Sequence, residues 1–226
     1  MNLKNNLLEF NGKIYKTERG LKIARTKYFK QYQVDELILN INYFNFDSYF
    51  NEPVDNLPPN ITHLTFGEEF NQSVNNLPPN LTHLTFDDDF NQPVNNLPQS
   101  ITHLTFGDCF NQPVENLPPN ITHLTFGNNF NKPLDYLADS IVELELGEYY
   151  NSELNDLPSS LKKLTLNKKS NYNKPLNCLP KYLELLQLPH KYKLEIQNIP
   201  TGLKTLICSK KYKYTHNVKY IKNKNI

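Results

Sequence analysis

Tryptophan is absent from this chain, methionine occurs once, and glycine appears only 7 times in 226 residues. A glycine-rich phosphate cradle is therefore missing, and neither an H-E-x-x-H metal motif nor a G-x-S-x-G nucleophile elbow occurs. Cysteine is scarce: Cys109, Cys178 and Cys208 have no C-x-x-C spacing. Their odd number signals neither a disulfide framework nor a zinc site and fits reduced thiols. No apolar run is long enough to span a bilayer or form a secretory leader, so the expected compartment is cytoplasmic. The sequons at Asn60, Asn80 and Asn120 are then by-products of a repeated sequence.

Positive charge is nearly missing from the middle of the chain. Residues 34–160 hold one lysine against nineteen acidic residues, a net −18. Residues 1–33 carry +6 and residues 161–226 carry +13, so a formal net charge of +1 conceals an acidic body between basic ends.

What the chain has instead is periodicity. Phe-Asn recurs at Phe50-Asn51, Phe70-Asn71, Phe90-Asn91, Phe110-Asn111 and Phe130-Asn131, and continues as Tyr150-Asn151 and Tyr172-Asn173. Leu-Pro recurs at Leu57-Pro58, Leu77-Pro78, Leu97-Pro98, Leu117-Pro118, Leu157-Pro158 and Leu179-Pro180. The period is 20 residues, with one step of 22 near "NKKSNYNKPLNCLP". Proline in nearly every unit forbids a continuous helix, and the only strand-like piece is short, about His63 to Phe66. On it Leu64 and Phe66 share one face, His63 and Thr65 the other.

A unit this small cannot bury its own apolar face. Stacking the units does so, because each apolar residue then lies on its copy in the next coil. The expected fold is mainly β: a leucine-rich-repeat-like parallel β solenoid with 20-residue coils and little helix. Phe66, Phe86, Phe106 and Phe126 form one internal column; Phe50, Phe70, Phe90, Phe110 and Phe130 form another. Asn51, Asn71, Asn91, Asn111, Asn131 and Asn151 are expected to form a structural ladder bonded to turn backbone. Leu57-Pro58-Pro59 reads as polyproline-like backbone on the outer side.

The pattern "ITHLTFGEEFN" fits leucine-rich repeats. Phe50-Asn51, Pro53-Val54, Leu57-Pro58, Ile61, Leu64, Phe66 and their copies more closely resemble the FNIP repeat family of social amoebae and amoeba-infecting large DNA viruses. The resemblance covers about residues 44–207. It implies a protein-interaction solenoid and, for family members with a leading F-box, a substrate adapter of ubiquitin ligases. Residues 1–43 lack the Leu-Pro and helical Ile/Leu run of an F-box. Ser73 stands where proline is usual. Tyr150 and Tyr172 stand where phenylalanine is usual, and are read as degenerate coils near a cap.

Three regions follow: an N-terminal cap over residues 1–43, the solenoid over 44–207, and a basic tail or cap over 208–226. Asn11-Gly12 between apolar flanks signals a hairpin, and "VDELILN" a first strand. The terminal Lys210, Lys211, Lys213, Lys219, Lys222 and Lys224, with Tyr212, Tyr214 and Tyr220, suit either nucleic-acid binding or a capping strand. The acidic body would repel phosphate.

The leading expectation is a non-enzymatic scaffold binding a protein partner through its exposed strand face; the alternatives are a ubiquitin-ligase substrate adapter with a degenerate F-box-like front end, and nucleic-acid binding through the basic tail. That face carries His63, Thr65, His83, Thr85, His103, Thr105, His123 and Thr125. Imidazoles stacked at about 4.8 Å approach an ion from one side only, so no metal and no cofactor is expected. Glu68-Glu69, Asp87-Asp88-Asp89, Asp108 and Glu148 form an acidic ridge after the strand, solvated or able to steer a basic partner. They lack the paired, buried setting of general acid–base chemistry. Cys109, beside Asp108, is expected to be a passive thiol.

Overall fold

The computed structural model describes residues 42–55 and 57–215 with their side chains. It also describes the backbone of four strands beyond them: β1 Leu7–Phe10, β2 Lys13–Lys16, β3 Leu21–Ile23 and β13 Ile221–Asn223. Strands β1 and β2 pair antiparallel, with Phe10 opposite Lys13 across Asn11-Gly12. The strand expected at "VDELILN" lies outside the described residues, as do Lys219, Tyr220 and Lys224.

Each coil of the body supplies one short strand, because only three or four residues alternate inward and outward before the turn residues resume. These strands are β4 Tyr43–Phe46, β5 His63–Thr65, β6 His83–Thr85, β7 His103–Thr105 and β8 His123–Thr125. They continue as β9 Glu143–Leu146, β10 Lys163–Leu166, β11 Leu185–Gln187 and β12 Thr205–Cys208. With β3 and β13 they form one sheet of 11 strands in strict chain order, every pair parallel. No helix occurs among the described residues. The register never shifts between repeats: His63 faces His83, Leu64 faces Leu84 and Thr65 faces Thr85.

Behind the sheet the apolar residues stack by position. Phe46, Phe66, Phe86, Phe106 and Phe126 form one aromatic column with centroids 5.2–5.6 Å apart. Phe50, Phe70, Phe90, Phe110 and Phe130 form a second, with centroids 6.0–6.1 Å apart. Within a coil the two rings stack on each other at 3.7–3.9 Å. Each buried ring contributes about 2–3 kcal/mol of apolar burial, which offsets the ordering of long turns.

The second column does not degenerate after Phe130. It runs on through Tyr150, Tyr172, Tyr192 and Tyr212, all buried. These coils are therefore interior coils and not a cap, which corrects the reading of Tyr150 and Tyr172. The first column changes with it, to Leu146, Leu166, Leu188 and Cys208. Tyr150, Tyr192 and Tyr212 donate their hydroxyls to the carbonyls of Glu153, Lys174 and Leu194. Tyr172 Oη and Asn177 Oδ1 are buried without a partner, beside the two extra residues of that coil.

The Leu-Pro segments also differ from expectation. The proline carbonyl closes a turn by accepting the N–H three residues on, as from Pro58 to Ile61 and Pro78 to Leu81. The leucine points into the structure: Leu77 and Leu97 are core, and Leu57, Leu117 and Leu157 pack against it. The segment is thus a proline-fixed turn anchored by leucine, not an exposed polyproline stretch.

Side chains complete the bonding between coils. Asn51 Oδ1 accepts the Asn71 N–H at 2.9 Å, and the same bond recurs from Asn91 to Asn71, Asn111 to Asn91, Asn131 to Asn111 and Asn151 to Asn131. Gln72, Gln92 and Gln112 add a second donor to the same oxygens. Deleting one carboxamide orphans a partly buried N–H in the next coil. We expect Asn91→Ala to lower unfolding free energy by about 1–3 kcal/mol, and Phe110→Ala by about 3–5 kcal/mol. Urea titration followed by circular dichroism reads both. An unchanged midpoint for Asn91→Ala would mean that water replaces the ladder bond without cost.

Candidate functional site

The outward positions of the sheet form two rows. The first runs Tyr43, His63, His83, His103, His123, Glu143, Lys163, Leu185 and Thr205. The second runs Asn45, Thr65, Thr85, Thr105, Thr125, Glu145, Thr165, Gln187 and Ile207. All eight histidines and threonines singled out from the sequence lie here, each half-buried. Tyr43, Glu143, Glu145 and Lys163 belong to the same surface. They were legible by carrying the 20-residue register one coil back and two coils forward.

The imidazoles are closer than the strand spacing alone requires. His63, His83, His103 and His123 stack face to face with centroids 4.0–4.2 Å apart and planes within 12°. Equivalent rings behind the sheet stand farther apart, at 5.2–6.1 Å, so the coils fan and the strand face lies on the inside of the curve. The Tyr43 ring extends the stack at 4.1 Å from His63. Each Nδ1 lies 2.8–2.9 Å from the hydroxyl of the preceding threonine: Thr62, Thr82, Thr102 or Thr122. Those hydroxyls also reach a carbonyl of the previous coil at 3.0–3.2 Å. The hydroxyl's one proton goes to that carbonyl, so it accepts from the imidazole, and the bond assigns the proton to Nδ1. Nε2 enters no hydrogen bond among the described residues. His123 Nε2 lies 3.8 Å from Glu143 Oε1.

Beyond the stack the face becomes ionic. Lys163 Nζ bridges Glu143 Oε2 at 2.9 Å and Glu145 Oε1 at 2.8 Å. Hydrogen bonds to Glu145 and Glu143 hold the ammonium above its ordinary value. Burial, helped by the charge of neighbouring imidazoles, lowers the pKa of His63, His83 and His103. Their neutral forms are thereby favoured.

No group of three or more potential ligands capable of holding a metal ion occurs among the described residues. Burial, with Asp89, Asp88 and Asp108 next, raises the Cys109 thiol above its ordinary value, the opposite of activation. Burial raises the core tyrosines too, Tyr192 to about 12. Tyr212 is buried in the aromatic column and Tyr214 packs against the core. Two of the three rings counted for nucleic-acid stacking are therefore engaged elsewhere. No helix among the described residues is long and apolar enough to cross a membrane.

The FNIP Repeat family model matches residues 50–76, 70–109 and 110–149. Among solved structures, the chain is similar to CroV588, from a giant virus, described as a novel circular LRR protein. The two share 35% sequence identity with a TM-score of 0.73, over 80% of this chain and 30% of that one. This chain thus spans under a third of that neighbour's length. No curated protein matches the sequence. Repeat solenoids of this LRR-like form are typical of non-enzymatic interaction scaffolds. The stacked coils and the matched segments together place FNIP repeats over residues 50–149 of this chain.

Proposed function

We propose that the chain is a non-enzymatic scaffold that binds a protein partner on the strand face between Tyr43 and Lys163. The observation that carries this reading is the imidazole stack. Four stacked rings present a continuous aromatic edge, and each keeps one ring nitrogen outside any hydrogen bond among the described residues. The solenoid core fixes their positions, so little side-chain freedom is lost on contact. The threonine row alongside adds hydroxyls at the same spacing. Beyond it, Glu143, Glu145 and Lys163 supply an ionic stop that sets register.

The test compares the intact chain with a His83→Asp, His103→Asp variant in affinity capture from native extract, followed by titration of the captured protein. Binding should weaken at least about tenfold, or about 1.4 kcal/mol. Hydrogen exchange of the complex should show protection on His63–Thr65 through His123–Thr125. Equal affinity for both forms, with protection elsewhere, would refute the strand face as the contact.

The same stack predicts a pH dependence of stability. Folded imidazoles with lowered pKa bind protons less readily than unfolded ones. Their contribution is present above the unfolded value near 6.5 and is lost as pH falls through the folded values. Between about pH 7 and pH 5, unfolding midpoints should fall, and less so for a His63→Gln, His83→Gln, His103→Gln variant. Parallel midpoint curves for the two proteins would show that the stack is not the source.

A further inference from the structure

A second surface runs beside the strand face, formed by the two residues at the tip of the turn that follows each strand. The rungs are Glu68-Glu69, Asp88-Asp89, Asp108-Cys109, Asn128-Asn129, Glu148-Tyr149, Lys168-Lys169, His190-Lys191 and Lys210-Lys211. Backbone bonds join five of the seven steps between rungs. The N–H of Asp89 donates to the Glu68 carbonyl, Cys109 to Asp88, Asn129 to Asp108, Tyr149 to Asn128 and His190 to Lys168, all at 2.8–2.9 Å. Chain order is spatial order here, so the charge segregation of the sequence becomes a reversal of charge along one edge. Three rungs are acidic, with Asp87 adding to the second. The two central rungs carry a single charge, Glu148. The last three rungs hold five lysines.

The order of signs is self-complementary about the middle. Take a two-fold axis between the Asn128-Asn129 and Glu148-Tyr149 rungs. A second copy running antiparallel then sets its Lys168-Lys169 against Asp108, its His190-Lys191 against Asp88-Asp89, and its Lys210-Lys211 against Glu68-Glu69. Every acidic rung meets a basic one, and the reciprocal contacts follow by symmetry. Both ridges have rungs about 4.8 Å apart, so the match holds over some seven steps, about 34 Å. At the axis stands Tyr149, 57% exposed, an aromatic ring in the place where interfaces concentrate energy. Asp88 and Asp108 accept hydrogen bonds from the next rung and Lys191 donates to Asn171, but no ridge charge is neutralised by an ion pair among the described residues. The ion pairs among the described residues join Lys163 to Glu143 and Glu145, Lys204 to Glu184, and His123 to Glu143. Like charges on successive rungs repel within one chain, and an antiparallel copy replaces that repulsion with attraction.

We propose that two copies of this chain pair antiparallel along this ridge, leaving the strand face open. The inference is independent of what the strand face binds. Individually exposed ion pairs contribute about 0.2–1 kcal/mol, so the dimer is held by the whole array and is sensitive to salt.

Sedimentation of the intact chain at low ionic strength should show a monomer–dimer equilibrium that weakens at least about tenfold in about 0.5 M salt. Two charge-reversed variants decide the geometry. One carries Glu68→Lys, Glu69→Lys, Asp88→Lys and Asp89→Lys; the other carries Lys168→Glu, Lys169→Glu, Lys210→Glu and Lys211→Glu. Each alone should be monomeric, and an equimolar mixture should dimerise. Circular dichroism checks that both fold, as is expected for exposed turn residues. A wild-type chain monomeric at about 0.1 mM and low salt overturns the proposal. So does a dimer that survives either reversal, or a mixture that stays monomeric. If the chain binds polylysine but never itself, the ridge belongs to a cationic partner and the proposal is likewise overturned.

Discussion

Everything in this molecule depends on zero-shift stacking: each repeated side chain lies over its own equivalent in the next coil. The arrangement is imposed because no coil can satisfy itself. The Thr62 carbonyl needs the N–H groups of Thr82 and His83, and Asn51 Oδ1 needs the Asn71 N–H. A slip by one residue would turn Leu64 and its copies to solvent and bring the histidines inward. The repeated sequence thus specifies register at several positions of the cross-section at once.

Stacking also explains why changes in the sequence come in concert. When the first aromatic column gives way to Leu146, the second changes from Phe130 to Tyr150 within the same coil. A smaller residue beside the ring leaves room for a hydroxyl, and the hydroxyl finds a backbone carbonyl in three of the four tyrosine coils. In that same coil the face changes from His-Thr to Glu143 and Glu145, and the ridge turns basic one coil later. The solenoid therefore consists of two blocks with a continuous sheet and different interiors, faces and edges.

This shows what a sequence of this kind makes legible. Position within the repeat, strand location and the inward–outward sense of Leu64 or His63 follow from the period, because each copy votes for the same answer. The parallel sheet and the columns could be written down from it. The terms that depend on unlike neighbours were harder to see. Tyr150 and Tyr172 looked like decay of the pattern because their compensation lies in Leu146 and Leu166, at another position of the coil. The Lys163 bridge to Glu143 and Glu145 joins residues of two coils that break the consensus. The fanning of the coils, which brings the imidazoles to 4.0–4.2 Å, is a property of the whole cross-section that strand spacing does not contain.

Like-on-like stacking finally constrains where charge can stand. Two equal charges about 4.8 Å apart repel by roughly 1 kcal/mol even in water, and by more on a half-buried face. A repeated face therefore favours groups that are polar without being charged, and neutral imidazole beside threonine meets that condition. Where formal charge does enter the face, it enters with alternating sign, as Glu143 and then Lys163. Unrelieved runs of one sign are displaced to the turn tips, where Glu68, Glu69, Asp88 and Asp89 are exposed and water screens them best. The face and the ridge are thus two answers to one electrostatic problem. Neutral groups that stack can make a rigid contact surface. Charges that cannot stack without repulsion gain most from an opposite charge brought from outside the coil.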